Sequence, residues 1–456
     1  MARIICPEKL VSRTAIIAMT AFLLLISGGC GRESAPDRPN IVVILIDTLR
    51  VDYLEDPDLP AASHPYLAGL LENGSCWDNA ISTSSWTAPA TASVFTGLYP
   101  NQHGVMQGFH AHKMAVKKLR KSGQASIPLN ALPTDIPTLP ERLKKLGYRT
   151  FGLAANINIG HEIGFSRGFD RFAMLENAPA DSLADRLLSW LPEMTAGPEP
   201  YFLYLHFNDP HQPYIGHEQW YVPVANDAVA DARARYLSEI SFLDHQLARI
   251  HRELDLDRQG LLVVLSDHGE EFMDHGRMYH PPSLFGELND VFLVFSAPAL
   301  GVRPHRWSQN VSQVDVLPTI LDLLGETMDG PAAGISLAPL LLVGGKDGAA
   351  LTASLDERTL FAHRLQDLRL GRHLWSANQG TWKLIENKSG NRNLFDLDDD
   401  PREQHPLGLP EGPVTSHLTA ELDRFKTLPP VGTWPSTEIE LDEKMLKKLK
   451  SLGYVR

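Results

Sequence analysis

Three apolar runs, each ending on a polar residue, constrain the fold of this chain more than any other feature. Ile41–Ile46 (IVVILI) stops at Asp47, Tyr201–Leu205 (YFLYL) at His206, and Leu261–Leu265 (LLVVL) at Ser266-Asp267-His268-Gly269. A fourth run is Val291–Phe295 (VFLVF). Short continuous apolar runs, rich in β-branched and aromatic residues, suit strands buried on both faces. Helical stretches such as Ile136–Leu146 and Ala230–Leu254 lie between them. This alternation predicts an α/β fold, a mostly parallel sheet sandwiched by helices. Ligands of such sheets bind at the carboxyl ends of the strands, where Asp47, His206 and Asp267-His268 fall together.

The texture changes after about residue 335. Gly344–Ala350 (GGKDGAA) reads as a linker, followed by short strand-like pieces at Thr359–His363, Asp367–Leu370, Thr381–Ile385 and Asn393–Leu397. The NKSGN stretch at 387–391 is turn chemistry and predicts a hairpin. The expected organisation is a catalytic domain over 39–340, a small antiparallel subdomain over 351–427 and a tail over 428–456. The tail should close in a helix from Leu441, with Leu441, Met445, Leu449 and Leu452 on one face and Gly453 as its stop.

A net charge of −13 over 456 residues argues against a general nucleic-acid binder, which needs a basic footprint. Two of the three cysteines, Cys6 and Cys30, lie in the first thirty residues, so a disulfide framework is excluded. Arg3, Lys9 and Arg13 precede an apolar run, Thr14–Ile26, too short to span a bilayer comfortably. Residues 1–30 therefore read as an export signal. Ser27-Gly28-Gly29-Cys30 resembles a bacterial lipobox, in which Cys30 carries the lipid, although Ser27 stands where leucine is usual. The alternative is a plain cleaved signal. Residues 31–38 would be a tether. The expected location is the periplasm or outer surface, with the membrane touched only through the lipid. Cys76 reads as a small buried residue.

Asp47, Thr87 in Ser85-Trp86-Thr87-Ala88-Pro89, and Asp267-His268 form a set of oxygen and nitrogen donors suited to one divalent cation. Calcium, magnesium, manganese and zinc all tolerate such a set. A bound cation lowers the pKa of a hydroxyl and prepares it for attack.

Six stretches in order resemble the sulfatase branch of the alkaline phosphatase superfamily. They are PNIVVILIDTLRVDYL (39–54), SSWTAPATASVFTGLYPNQHGV (84–105), LPERLKKLGYRTFG (139–152), YLHFNDPHQPY (204–214), VVLSDHGEEFMDHG (263–276) and WKLIENKSGNRNLFDLDDDPREQHPL (382–407). The resemblance implies that Asp47, Asp267 and His268 hold the metal with Thr87, and that Thr87 is the nucleophile. It places His211 facing the substrate or leaving group, and His280 where the family sets a lysine against the sulfate. His206, Asp209 and His275 are weaker candidates. For His206 and His275 an ordinary structural hydrogen bond is the alternative, and Asp209 with the histidines leaves room for a second metal.

The departures from the family pattern are informative. Sulfatases of the formylglycine type carry Cys or Ser in C/S-x-P-x-R, and here the run is Thr87-Ala88-Pro89-Ala90-Thr91. Threonine cannot become formylglycine, and the arginine is missing. Thr48 replaces the second aspartate of the adjacent metal pair, and Gly152–Asn156 (GLAAN) replaces a lysine-containing motif. A formylglycine hydrate expels sulfate by elimination, a route closed to a threonine ester. The expectation is thus a hydrolase of anionic phosphate or sulfate esters, phosphoryl chemistry preferred, acting through a covalent Thr87 intermediate. A sulfuric ester hydrolase, a phosphotransferase to an alcohol and a binding protein without turnover are the rivals. Lys113, Lys117, Lys118, Arg120 and Lys121 form an acid-free segment. It would steer a glycan or phospholipid headgroup, or simply be a solvated loop.

Overall fold

The computed structural model describes residues 38–55, 61–108, 129–342, 348–367, 372–433 and 436–437. The export signal with Cys30, nearly all of the tether, the basic segment 113–121 and the terminal helix from Leu441 lie outside the described residues. Among the described residues, no helix is long and apolar enough to cross a membrane.

The apolar runs become strands of one eight-stranded sheet. Its strands are β1 (Asn40–Ile46), β2 (Ser75–Ile81), β3 (Arg149–Ala154), β4 (Arg171–Met174), β5 (Tyr201–Phe207), β6 (Gly260–Ser266), β7 (Leu293–Ser296) and β8 (His305–Ser312). Their spatial order is β8-β2-β7-β6-β1-β5-β3-β4. β1 lies at the centre, parallel to both β5 and β6, and β7 alone runs antiparallel to its neighbours.

Alternation along these strands sends successive side chains to opposite faces. Ile41, Val43, Leu45, Phe202, Tyr204, Leu261, Val263 and Leu265 belong to one core cluster. Val42, Ile44, Ile46, Leu203, Leu205, Leu262 and Val264 belong to the other. The longer helices are α1 (Pro65–Asn73), α2 (Thr87–Thr96), α3 (Leu139–Lys145), α4 (Ala180–Met194), α5 (Ala228–Glu253), α6 (Val316–Leu323), α7 (Gly348–Glu357) and α8 (Pro413–Lys426). α2, α3, α6 and Leu355 of α7 cover the first face, and α1, α4 and α5 the second. In α5, Tyr236, Ile240, Leu243, Leu247 and Ile250 recur at helical spacing and are fully buried. Its N-cap Asp227 accepts from the amides of Val229 and Ala230, which fixes the helix start two residues before the apolar pattern suggests.

The parity has a direct consequence for the carboxyl edge. Asp47, His206 and Asp267 continue the phase of Leu45, Tyr204 and Leu265, so all three point to the face covered by α2. The amide of Asp47 donates to the carbonyl of Phe207 at 3.0 Å and that of Asp267 to Ile46 at 3.4 Å, extending the pairing to these residues.

A second sheet contains β9 (Leu360–Asp367), β10 (Arg372–Gln379), β11 (Trp382–Glu386) and β12 (Arg392–Asp396), all antiparallel. The hairpin at 387–391 joins β11 to β12 as expected. Of the expected strand-like piece at Asp367–Leu370, Asp367 is the last residue of β9 and the rest lies outside the described residues; the second strand, β10, begins at Arg372. α8 packs on this sheet through Leu418, Leu422 and Phe425, together with Tyr99 and Val314 from the larger sheet's side. The amide of His363 in β9 donates to the carbonyl of Thr83 at 2.8 Å, bringing the small sheet against the segment that leads into α2.

Candidate active site

Thr87 is the first residue of α2, and the residue before it, Trp86, is extended and provides no side-chain cap. The positive end of the helix therefore opens where Thr87 stands. Every residue of α2 is buried, and Ala88, Ala90, Ala92 and Ser93 are small enough to let it enter the core. Ser82 donates to the carbonyl of Asp267 at 2.6 Å, Gln313 donates to the same carbonyl at 2.7 Å, and Ser85 donates to Ser283 at 2.6 Å. These bonds pin the approach to Thr87 onto the loop after β6.

The turn after β1 is held just as closely. Thr48 adopts φ 56°, and its amide donates to Oδ1 of Asp267 at 3.0 Å. The Tyr236 hydroxyl donates to the Thr48 carbonyl at 2.7 Å and accepts from the Arg50 amide at 2.9 Å. Gly269 has no alternative in its loop. A Cβ there would meet the Glu287 carbonyl oxygen at 2.1 Å, where the Gly269 amide bonds Leu288.

Asp47, His206 and Asp267 are fully buried, and each offers a ligand atom within 4.8 Å of the others. His268 joins them, with Nε2 at 3.8 Å from Asp47 Oδ1 and 3.6 Å from Asp267 Oδ2. The hydrogen-bond pattern dictates what these atoms carry. Nδ1 of His268 lies 2.8 Å from the Gly269 carbonyl, which only accepts, so Nδ1 holds the proton and Nε2 presents a lone pair. Burial also pushes the His268 pKa well down and keeps the ring neutral. Asp47 Oδ1, Asp267 Oδ2, His268 Nε2 and both nitrogens of His206 are buried without a hydrogen-bond partner. Burial and the mutual repulsion of Asp47, Asp267 and Glu270 raise the Asp47 carboxyl well above its ordinary range. Asn156 and the Thr87 hydroxyl oppose that rise. Burial raises Asp267 too, against the pull of His206 and its amide and hydroxyl donors. Buried acceptors facing one another without donors fit a divalent cation. His206, a weaker candidate from sequence, sits inside this cluster.

His280, His211 and Glu270 lie next to this cluster. His280 lies with its ring centroid 5.1 Å from that of His268 and 4.9 Å from that of His211. Its Nδ1 is 3.0 Å from Oε1 of the fully buried Glu270. His211 donates Nδ1–H to the Gln212 carbonyl at 2.6 Å, leaving Nε2 free, and burial together with His280 lowers its pKa.

Two sequence candidates fall elsewhere. Asp209 faces His217 and Glu239, away from the Asp47 cluster, and burial with the Glu239 charge raises its carboxyl. His275 stacks on Phe285 and bonds Glu287 at 2.8 Å, the hydrogen bond of an ordinary structural histidine. A cavity of about 810 Å³, lined by Arg50, Asp274, Glu287, Asp290 and Glu403 among others, contains none of the Asp47 cluster.

Three residues escaped the sequence reading. Asn156 donates to Oδ2 of Asp47 at 2.5 Å, from the stretch that replaces the lysine motif. Glu270 backs His280. Arg364, from β9, lays its guanidinium 3.7 Å over the ring of Trp86. Glu270 was readable as the second residue after Asp267-His268. Nothing in the sequence marks Asn156 or Arg364.

An α/β sheet carrying a buried carboxylate–imidazole cluster at its carboxyl edge, next to a helix-terminal hydroxyl, defines a metal-dependent ester hydrolase of the alkaline phosphatase superfamily. The chain belongs to the sulfatase family, whose pattern matches residues 39–326. Arylsulfatase K of Bos taurus is 22% identical over 96% of this chain and 92% of its own length. The phosphonate monoester hydrolase of Agrobacterium radiobacter superposes with a TM-score of 0.67 at 18% identity, covering 85% of this chain and 95% of its own. A structure complexed with its substrate D-glucosamine-2-N,6-O-disulfate gives 0.68 at 16% identity, covering 85% and 97%.

Proposed function

We propose that this protein hydrolyses anionic esters through a covalent Thr87 intermediate, with phosphorus centres preferred over sulfur. The observation that carries the reading is the position of Thr87, a hydroxyl at an uncapped helix start against two buried carboxylates. Asp47, Asp267 and His268, with His206 beside them, would hold one divalent metal. When bound, that metal lowers the pKa of the Thr87 hydroxyl and offsets charge on the transferred group.

The chain's own residues supply the rest. Thr87 gives its hydroxyl proton to the free Nε2 of His211 and its Oγ bonds to the phosphorus, while the bond to the leaving ester oxygen breaks and that oxygen takes a proton from His280, which Glu270 orients. Water then attacks the phosphorus, the bond to Thr87 Oγ breaks, the proton of the water goes to His280, and His211 returns its proton to Thr87 Oγ, so both imidazoles are restored. Threonine at the formylglycine position supports phosphorus, because its ester must be resolved by attack on the central atom. The likeness to a phosphonate monoester hydrolase agrees in fold. The likeness to an arylsulfatase along nearly the whole chain favours sulfate esters as the second reading.

Thr87→Ala should lose at least about 10³-fold in kcat on whichever ester the wild type cleaves, the order expected when a nucleophile acting as a unit with its partners is removed. Thr87→Ser should retain turnover and form an isolable serine ester. The test is a metal-supplemented screen of sulfate monoesters, phosphate monoesters and phosphodiesters. Full activity of Thr87→Ala would sink the covalent route, and activity on aryl sulfates alone would reverse the preference for phosphorus.

A further inference from the structure

Arg364 is the strangest charge in the molecule. It is 3% exposed, and its Nε and Nη1 are buried with no hydrogen-bond partner. Among the described residues no carboxylate forms an ion pair with it. Its contact is the face of Trp86, whose ring cannot accept the in-plane N–H bonds of the fork. A guanidinium stays charged in proteins, so burial without a partner is a standing cost to the fold. Desolvation alone pulls its pKa down with no opposing charge, and the positive charge is felt at His268. Other deeply placed arginines among the described residues are compensated. Arg358 makes a two-pronged pair with Asp315 at 2.9 Å, and Arg50 is paired with Asp52 and Asp274. Arg364 differs by lying beside the residue that precedes Thr87.

We propose that Arg364 is the anion receptor of the Thr87 site, taking the non-bridging oxygens of a singly charged ester. The inference rests on the ester-hydrolase reading above. Arg364 comes from β9 of the small sheet and not from the helix that carries Thr87. The guanidinium sets the ligand class, because it offers one positive charge and a planar set of donors. Sulfate monoesters, phosphate diesters and phosphonate monoesters carry one negative charge, whereas a phosphate monoester carries two near neutral pH. Planar, paired N–H donors match two oxygens of a tetrahedral group.

The test measures binding without turnover. Thr87→Ala protein loaded with manganese is titrated with 4-nitrophenyl sulfate, bis(4-nitrophenyl) phosphate and 4-nitrophenyl phosphate, following Trp fluorescence and heat. The two monoanions should bind more tightly than the dianion. Adding Arg364→Met should weaken them at least tenfold while raising the melting temperature of the ligand-free protein, because an uncompensated charge has been replaced by an apolar side chain. Arg364→Lys should fold and keep part of the affinity. Unchanged affinity in Arg364→Met, or a lower melting temperature with Arg364→Lys binding no better than Met, would overturn the proposal and make Arg364 a prop for Trp86. If the Thr87→Ala protein binds none of the three esters, the hydrolase reading itself fails. The melting temperature of Arg364→Met would still report whether the buried charge is unpaired.

Discussion

Removing the cation should expose the repulsion built into the cluster. Ligand atoms of Asp47 and Asp267 are at most 4.8 Å apart and both residues are fully buried. Two unit charges at that distance repel by about 3.5 kcal/mol at an effective dielectric of about 20. Burial and that repulsion together raise the Asp47 carboxyl well above its ordinary range. The metal-free cluster should therefore hold a proton in mildly acidic solution that metal binding must expel. Calorimetric titration with manganese in two buffers of different ionisation enthalpy should show about one proton released per metal at pH 6. The Asp47→Asn variant should release few or none and bind metal at least about a hundredfold more weakly. The sign for stability follows from proton counting. A carboxyl raised by folding makes the native state bind more protons than the unfolded chain above about pH 4, so stability of the metal-free protein falls as pH rises from there toward the raised native value. Asp47→Asn removes that loss. It should gain up to about 3 kcal/mol over metal-free wild type near pH 8, and little near pH 4. No proton release at pH 6, together with a metal-free Asp47→Asn protein no more stable than wild type at pH 8, would refute the reasoning.

Two further outcomes concern stability away from the site. Lys383 and Glu403 form a fully buried pair at 2.9 Å, so Lys383→Met should cost about 3–5 kcal/mol in urea unfolding. The double change with Glu403→Leu should cost less, because no charge is stranded, and a single variant as stable as wild type would contradict this. Burial opposes the charged form of His275, but the Glu287 carboxylate outweighs it and pushes the pKa up to about 9. Its contribution should be complete below about pH 6.5 and lost as pH rises through 9, so His275→Gln should flatten that part of the stability profile.

The parts of this protein legible in sequence are those that obey a local period. The uninterrupted apolar runs announced β1, β5 and β6. Because side chains alternate with a period of two, the same runs also determined that Asp47, His206 and Asp267 share a face. Only the identity of the covering helix was missing. β10 was not legible, since Arg372–Gln379 (RHLWSANQ) alternates weakly and takes its pattern from partners on both sides. Asp209 and His275 look like ligands in a motif, yet their partners, Glu239 and Glu287, come from helical segments whose packing no spacing rule encodes. Asn156 is the clearest case. As sequence, Gly152–Asn156 reads only as a motif lost. In the fold, β3 runs parallel to β5, and the chain just past its end brings an amide to Asp47. Thr48 adds no charge where a second aspartate was expected, which lowers the negative charge around the cluster toward what one divalent cation can balance. The lost lysine motif acts the other way, since it removes a positive charge and leaves a neutral amide on Asp47. These departures and the unpaired Arg364 can be weighed together only once three distant segments are in one place.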